Sequence, residues 1–130
     1  SIAEPYIRRR AQRHLSKGRV VIFGGGIGNP FFTTDTAAAL RASEMDCDLM
    51  MTAKNGVDGI YDSDPRENPN AKKINTLTHQ DLIIRNLKVL DTSAIALCRD
   101  KHIPISVFDF ARPGAVRDIV TGLEVGTLVQ

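Results

Sequence analysis

Apolar residues in this chain follow two rhythms, unbroken short runs and helical spacing, and the two alternate. Residues 5–16 have the helical spacing, with Pro5 suited to a first turn and Gly18 placed to end the element. Arg8, Arg9, Arg10, Arg13 and His14 give that helix a strongly basic face. Arg19-Val20-Val21-Ile22-Phe23 is a β-branched and aromatic run closed by glycines, which predicts a short buried strand. After Gly24-Gly25-Gly26-Ile27-Gly28, Thr33 or Thr34 can cap a helix with Asp35 in its first turn and Ala37, Ala38, Ala39 and Leu40 behind. Residues 48–52 read as a second apolar strand and Val57-Asp58-Gly59-Ile60-Tyr61 follows a short loop, while 62–71, rich in Asp, Pro and Asn, read as an exposed excursion. Thr78-His79-Gln80-Asp81 resembles a capping box opening a short helix, and residues 91–102 form another with Ile95, Leu97 and Cys98 among its apolar positions. A strand over 103–108, a helix over 114–121 behind Pro113, and a last strand over 126–129 complete the pattern. Strands alternating with short helices imply right-handed crossovers and a mostly parallel sheet.

With 130 residues, 42% hydrophobic and 25% charged, the chain can build one packed core. Seventeen basic against fifteen acidic residues leave a formal charge of +2, well short of the excess needed to neutralise phosphates along a duplex, so no nucleic acid partner is expected. Cys47 and Cys98 lie far apart in apolar patterns, which predicts buried free thiols in a reducing compartment and no protein-bound metal. Apolar runs such as residues 20–23 are too short to cross a bilayer, and no leader pattern opens the sequence, so no membrane contact and a cytoplasmic location are expected. His14, His79 and His102 are scattered among polar neighbours and read as surface histidines. Ser1 is not a natural initiator and a helical pattern follows at once, so the chain is expected to begin inside a longer protein.

In an open α/β sheet, ligands collect beyond the carboxyl ends of the strands, and the loop after Phe23 falls there. Glycines let the backbone approach a ligand, and free N–H groups at a helix start favour a phosphate. A plain structural turn fits the same glycines, and Phe31 and Phe32 suit core packing as well as base recognition. The loop lacks the Gly-Lys-Ser/Thr ending of the Walker loop, and Asn29 stands where the last glycine of the dinucleotide fingerprint should come. No pattern for hydrolysis or covalent catalysis is present.

The run Gly26-Ile27-Gly28-Asn29-Pro30-Phe31-Phe32-Thr33-Thr34-Asp35, continued by Thr36-Ala37-Ala38-Ala39-Leu40-Arg41-Ala42, resembles the UMP-binding segment of bacterial uridylate kinases. Ala53-Lys54-Asn55-Gly56-Val57-Asp58-Gly59-Ile60-Tyr61-Asp62-Ser63-Asp64-Pro65 resembles the ATP-binding stretch of the wider amino acid kinase family, and Leu87-Lys88-Val89-Leu90-Asp91 with Gly126-Thr127-Leu128-Val129 continue the likeness. The resemblance spans essentially the whole chain. It implies a three-layer α/β/α sandwich of the carbamate kinase-like type, of which residues 1–130 are the C-terminal portion of a single domain with the N-terminal half incomplete. It further implies a kinase passing a phosphoryl group from ATP, carried with magnesium, to UMP. Ile27, Gly28, Asn29, Pro30, Phe31, Phe32, Thr33 and Thr34 would wrap the UMP, with Thr34 close to its phosphate. Asn55, Tyr61 and Asp64 would contact ATP, Tyr61 lying near the adenine. Asp35 would be the catalytic acid that orients lysines, although as a helix N-terminal charge alone it would contribute about 0.3–1 kcal/mol. Asp64-Pro65 also fits an ordinary turn.

Many family members carry Thr where this chain has Ile27, so uracil recognition there would rest on the main chain. The family's first strand, glycine-rich loop and catalytic lysine, with the arginine and aspartate that grip UMP, match nothing in this sequence. Lys54 reads as an exposed loop charge, not as their substitute. The family is typically a homohexamer regulated by GTP and UTP, and the basic face over residues 8–14 suits a subunit contact, an effector or plain solvation. Two rival readings share the ATP stretch: an aspartate- or glutamate-type kinase, and a non-catalytic nucleotide-binding relative such as the molybdenum-storage proteins.

Overall fold

A computed structural model describes residues 2–130. Helix α1 spans Arg8–Ser16 and α2 Thr34–Glu44; β1 is Met50–Lys54, β2 Ile60–Tyr61, β3 Lys73–Ile74 and β4 Thr76–Leu77. They are followed by α3 (His79–Ile84), α4 (Thr92–Asp100), β5 (Ile105–Asp109), α5 (Ala115–Val120) and β6 (Thr127–Val129). The main sheet has the order β1-β5-β6-β4, and β2 and β3 form a separate antiparallel pair. β1–β5 and β4–β6 are parallel, whereas β5–β6 is antiparallel. At this exception the chain, after α5, re-enters the sheet from the edge at which it left. Gly126 makes the tight re-entry at φ +70°, where a Cβ would stand 2.0 Å from the Val107 carbonyl oxygen.

β5 is buried on both faces. Ile105 and Val107 join Ala39, Leu82, Ala94, Ile95, Cys98 and Val129 in the larger core beneath α2, α3 and α4. Phe108 packs on the opposite side with Ala115 and Val125 against α5. These are the three layers that the resemblance implies. Thr78 caps α3 by accepting the Asp81 N–H at 3.0 Å, while the Asp81 carboxylate accepts the Thr78 N–H, so the capping box is present.

Several expectations need correction. α1 begins at Arg8, because Ile7 is the extended residue before it, so Pro5 lies outside the helix. Residues 19–23 form no strand: no described strand pairs with them, and Val20 and Ile22 are each 92% exposed. An extended run needs a neighbour to satisfy its N–H and C=O groups and to cover its side chains. β1 starts two residues later than predicted, and Lys54 is its half-buried last residue, not a loop charge. Cys98 is buried but Cys47 is exposed, because it follows α2 in the turn at Asp46. His79 is a buried residue whose Nε2 lies 2.9 Å from the Ile103 carbonyl, tying the start of α3 to the approach to β5.

Candidate functional site

The sites begin with direction. α2 runs into β1, and α4 into β5, through tight turns, so each helix starts at the edge where its strand ends. Since β1 and β5 are parallel neighbours, the N-termini of α2 and α4 and the loops after Lys54 and Asp109 share one edge. α2 and α4 pack side by side, which brings their positive ends together.

Three contacts join those ends. The Thr33 hydroxyl donates to the Asp91 carboxylate, the Asp91 N–H donates to Asp35 Oδ2 at 3.3 Å, and the Thr36 and Ser93 hydroxyls meet at 2.8 Å. Thr33 is the N-cap residue of α2 by conformation, yet its side chain makes no capping bond because Asp91 takes it. Asp91 holds the same place on α4. Below these residues opens a cleft of about 340 Å³, bordered by Asp35, Asp91, Thr92, Lys88, Leu82 and Ile95.

The loop leading to α2 is backbone built for close approach. Gly25, Gly26 and Gly28 take φ values of +80°, +64° and +75°, and no atom stands where their side chains would be. Asn29 Oδ1 accepts the Phe31 N–H at 3.0 Å, which shapes the turn at Pro30. Phe31 is 91% exposed and Phe32 and Thr34 are also exposed, so the phenyl rings are not core plugs. Ile27 is half-buried. Arg41 steadies the loop from behind: its guanidinium lies 3.8 Å from the centre of the Tyr6 ring, pairs with Glu44 at 2.6 Å and reaches the Gly26 carbonyl at 3.4 Å.

Asn55, Tyr61 and Asp64 sit on the second element of the edge, the loop after β1 and the β2–β3 hairpin. Asn55 is exposed beside Gly56. The Tyr61 hydroxyl donates to Asp58 Oδ1 at 2.6 Å, and Lys73 Nζ reaches Asp58 Oδ2 at 3.3 Å. The Tyr61 hydroxyl, with Lys73 behind it, holds the Asp58 carboxyl below its usual range, and the same bond pushes the Tyr61 phenol up. Asp64 Oδ1 accepts the Arg66 N–H at 2.8 Å, so Asp64-Pro65 does form a turn, with the carboxylate turned to its own backbone. Among the described residues, no hydrogen bond or ion pair joins this group to the residues around Asp35.

The model of the amino acid kinase family matches residues 2–109. The chain belongs to the amino acid kinase family. Within it, the chain is 58% identical over 129 residues to a uridylate kinase of Deinococcus radiodurans, covering 99% of this chain and 53% of that protein. A uridylate kinase of Limosilactobacillus reuteri is 54% identical, with 99% and 54% covered. The crystal structure of UMP kinase from Bacillus anthracis superposes with a TM-score of 0.97 at 48% identity, over 99% of this chain and 53% of the other. This amino acid kinase chain thus spans about half the length of the curated relatives it matches. No described helix is long and apolar enough to cross a membrane.

Sequence patterns gave site roles to Asp35 and the threonines but none to Asp91, which accepts the Thr33 hydroxyl and donates its N–H to Asp35. The available signal was an acid immediately before Thr92-Ser93-Ala94, an N-cap position at the start of a helix. Arg41 and Thr127 were also missed as supports: both lie in the runs that carry the likeness, but the partners they hold, Gly26 and Ile60, are distant in sequence.

Proposed function

We propose that this chain is the C-terminal portion of a single-domain uridylate kinase that transfers the γ-phosphoryl group of ATP to UMP, giving UDP and ADP in pyrimidine nucleotide biosynthesis. The observation that carries this reading is the meeting of the α2 and α4 N-termini at the Gly-Asn-Pro-Phe-Phe-Thr-Thr-Asp run, above an open cleft. Two helix starts and a loop of left-handed glycines offer N–H groups to phosphate oxygens. Ile27 through Thr34 take the UMP, its base against exposed aromatic surface and its phosphate at the Thr34 hydroxyl. Asn55, Tyr61 and Asp64 take the ATP, the Tyr61 ring lying against the adenine.

Phosphoryl transfer needs alignment and charge neutralisation more than covalent chemistry. An oxygen of the UMP phosphate attacks the γ-phosphorus as the bond to the β-phosphate oxygen breaks, and ADP leaves. The helix ends stabilise the charge on the transferred group. Asp35 and Asp91, two carboxylates tied together, are suited to orienting cationic groups, and lysines from the upstream half of the enzyme would fill that role. Magnesium enters as part of the ATP complex. The enzyme works in the cytoplasm as a homohexamer responding to GTP and UTP, with the basic face of α1 available to a subunit or an effector. The ATP stretch would serve an aspartate or glutamate kinase equally, but the run over residues 26–35 favours UMP.

The test is turnover. The chain extended upstream to its natural start should convert UMP and ATP to UDP and ADP and leave aspartate and glutamate untouched, whereas the 130 residues alone should be inactive. Acceptor activity toward a carboxylate in place of UMP would overturn the reading. Comparable turnover by the short chain would refute the division of labour between the halves.

A further inference from the structure

We infer that Asp58 is a positioning residue for the nucleotide donor: its carboxylate bridges the Tyr61 hydroxyl and the Lys73 ammonium and so fixes the Tyr61 ring against the adenine. The inference rests on the proposed placement of ATP beside Tyr61. Both carboxylate oxygens are engaged, Oδ1 by Tyr61 at 2.6 Å and Oδ2 by Lys73 at 3.3 Å. Tyr61 and Lys73 are opposite one another in the β2–β3 pair, so the bridge crosses the hairpin at the level of the ring.

The bridge has a rigid base. Gly59, between Asp58 and β2, is buried, and a Cβ there would stand 2.7 Å from Thr127 Oγ1 and 3.1 Å from Lys73 Cδ. The next residue, Ile60, donates its N–H to Thr127 Oγ1 at 2.8 Å, which ties the hairpin to β6 in the core. Beyond Tyr61, the Asp62 N–H donates to the Lys72 carbonyl at 3.0 Å and Asp62 Oδ1 accepts the Lys72 N–H at 2.9 Å, closing the hairpin on the far side. The backbone of Tyr61 is therefore held on both sides. What the backbone leaves free is the swing of the side chain about its Cα–Cβ bond, and the hydroxyl at its far end is where one strong bond stops that swing. A carboxylate acceptor suits this, because hydrogen bonds to ionised groups are shorter and stronger than neutral ones. A ring fixed before ATP arrives loses less conformational freedom on binding than one that must be ordered then.

The experiment is steady-state kinetics of the full-length enzyme, with its natural upstream sequence, on five variants: Tyr61→Ala, Tyr61→Phe, Asp58→Ala, Asp58→Asn, and Asp58→Ala with Tyr61→Phe. Tyr61→Ala should raise KM for ATP about ten-fold, and Tyr61→Phe and Asp58→Ala about three-fold each, the net value of one hydrogen bond. KM for UMP and kcat at saturating ATP should hold. Asp58→Asn keeps an acceptor oxygen for the phenol and should recover part of the loss. The double variant should be no worse than either single one, because both remove the same bond. Additive losses, or a rise in KM for UMP equal to that for ATP, would mean Asp58 acts only on the fold. If Tyr61→Ala weakens ATP while Asp58→Ala and Tyr61→Phe do not, the bridge is overturned and the adenine assignment stands. If Tyr61→Ala leaves ATP untouched, the adenine assignment and the bridge both fall.

Discussion

The two sides of the candidate site are built in opposite ways. Around Asp35 the bonds that shape the site are long-range: Thr33 reaches Asp91, and Thr36 reaches Ser93, from one helix start to the next. The loop before them is left-handed glycine with exposed aromatic rings and few bonds of its own. The hairpin side is bonded within itself, through Asp58, Tyr61 and Lys73, then Asp62 with Lys72, then Asp64 with Arg66. A side made by packing depends on the whole fold, and a side made by local bonds depends on a few anchors. Substitutions in the packed side should therefore travel through the molecule, and those within the hairpin should stay local unless they strike an anchor.

The largest effect is expected at the anchor between the hairpin and the core. Thr127 is fully buried; its hydroxyl accepts the Ile60 N–H at 2.8 Å and donates to the Ile74 carbonyl. Thr127→Val keeps the shape but strands two backbone groups, at a cost of about 1–3 kcal/mol for each group left buried and unpaired. Denaturant unfolding should register a loss of that order, and a loss of only a few tenths would mean that the hairpin is not anchored there.

A smaller effect, of about 1 kcal/mol, is expected for Asp91→Ala, which frees the Thr33 hydroxyl in a partly exposed setting. Because the bond shapes the α2 start, KM for UMP in the full-length enzyme should rise more than KM for ATP. An equal rise would show that the two sides are coupled.

The smallest effect is a pH dependence. The folded Asp58 carboxyl titrates below its ordinary value of 3.8, held down chiefly by the Tyr61 hydroxyl. Its contribution to stability is therefore fully present above that ordinary value and is lost as pH falls through the lower, folded one. Tyr61→Phe should flatten that acid limb. An unchanged limb would mean that the bond does not hold in solution.

The sequence read well where structure is local. The Thr78–Asp81 capping box is complete in four consecutive residues, and the Thr33-Thr34-Asp35 helix start was recognisable from its cap and charge. It read poorly where partners lie far away. Asp91, Arg41 and Thr127 act across 15 to 67 positions of chain, and no periodicity carries such information. β3 and β4 are two residues each, too short for any alternation to register. His79 looked polar because its neighbours are polar, yet the turn into α3 points it at Ile103. Residues 19–23 had a strand's composition without a strand beside them.

In the proposed enzyme the α2 start is the acceptor side and the hairpin is the donor side. Calorimetric titration of full-length Thr34→Ala with UMP and with ATP tests it most directly. Thr34 is the first residue of α2, with an exposed side chain after the glycine loop. UMP affinity should fall by about five- to ten-fold, the net worth of a hydrogen bond to a charged phosphate, while ATP affinity stays within error. Equal losses for the two nucleotides, or a loss for ATP alone, would contradict it.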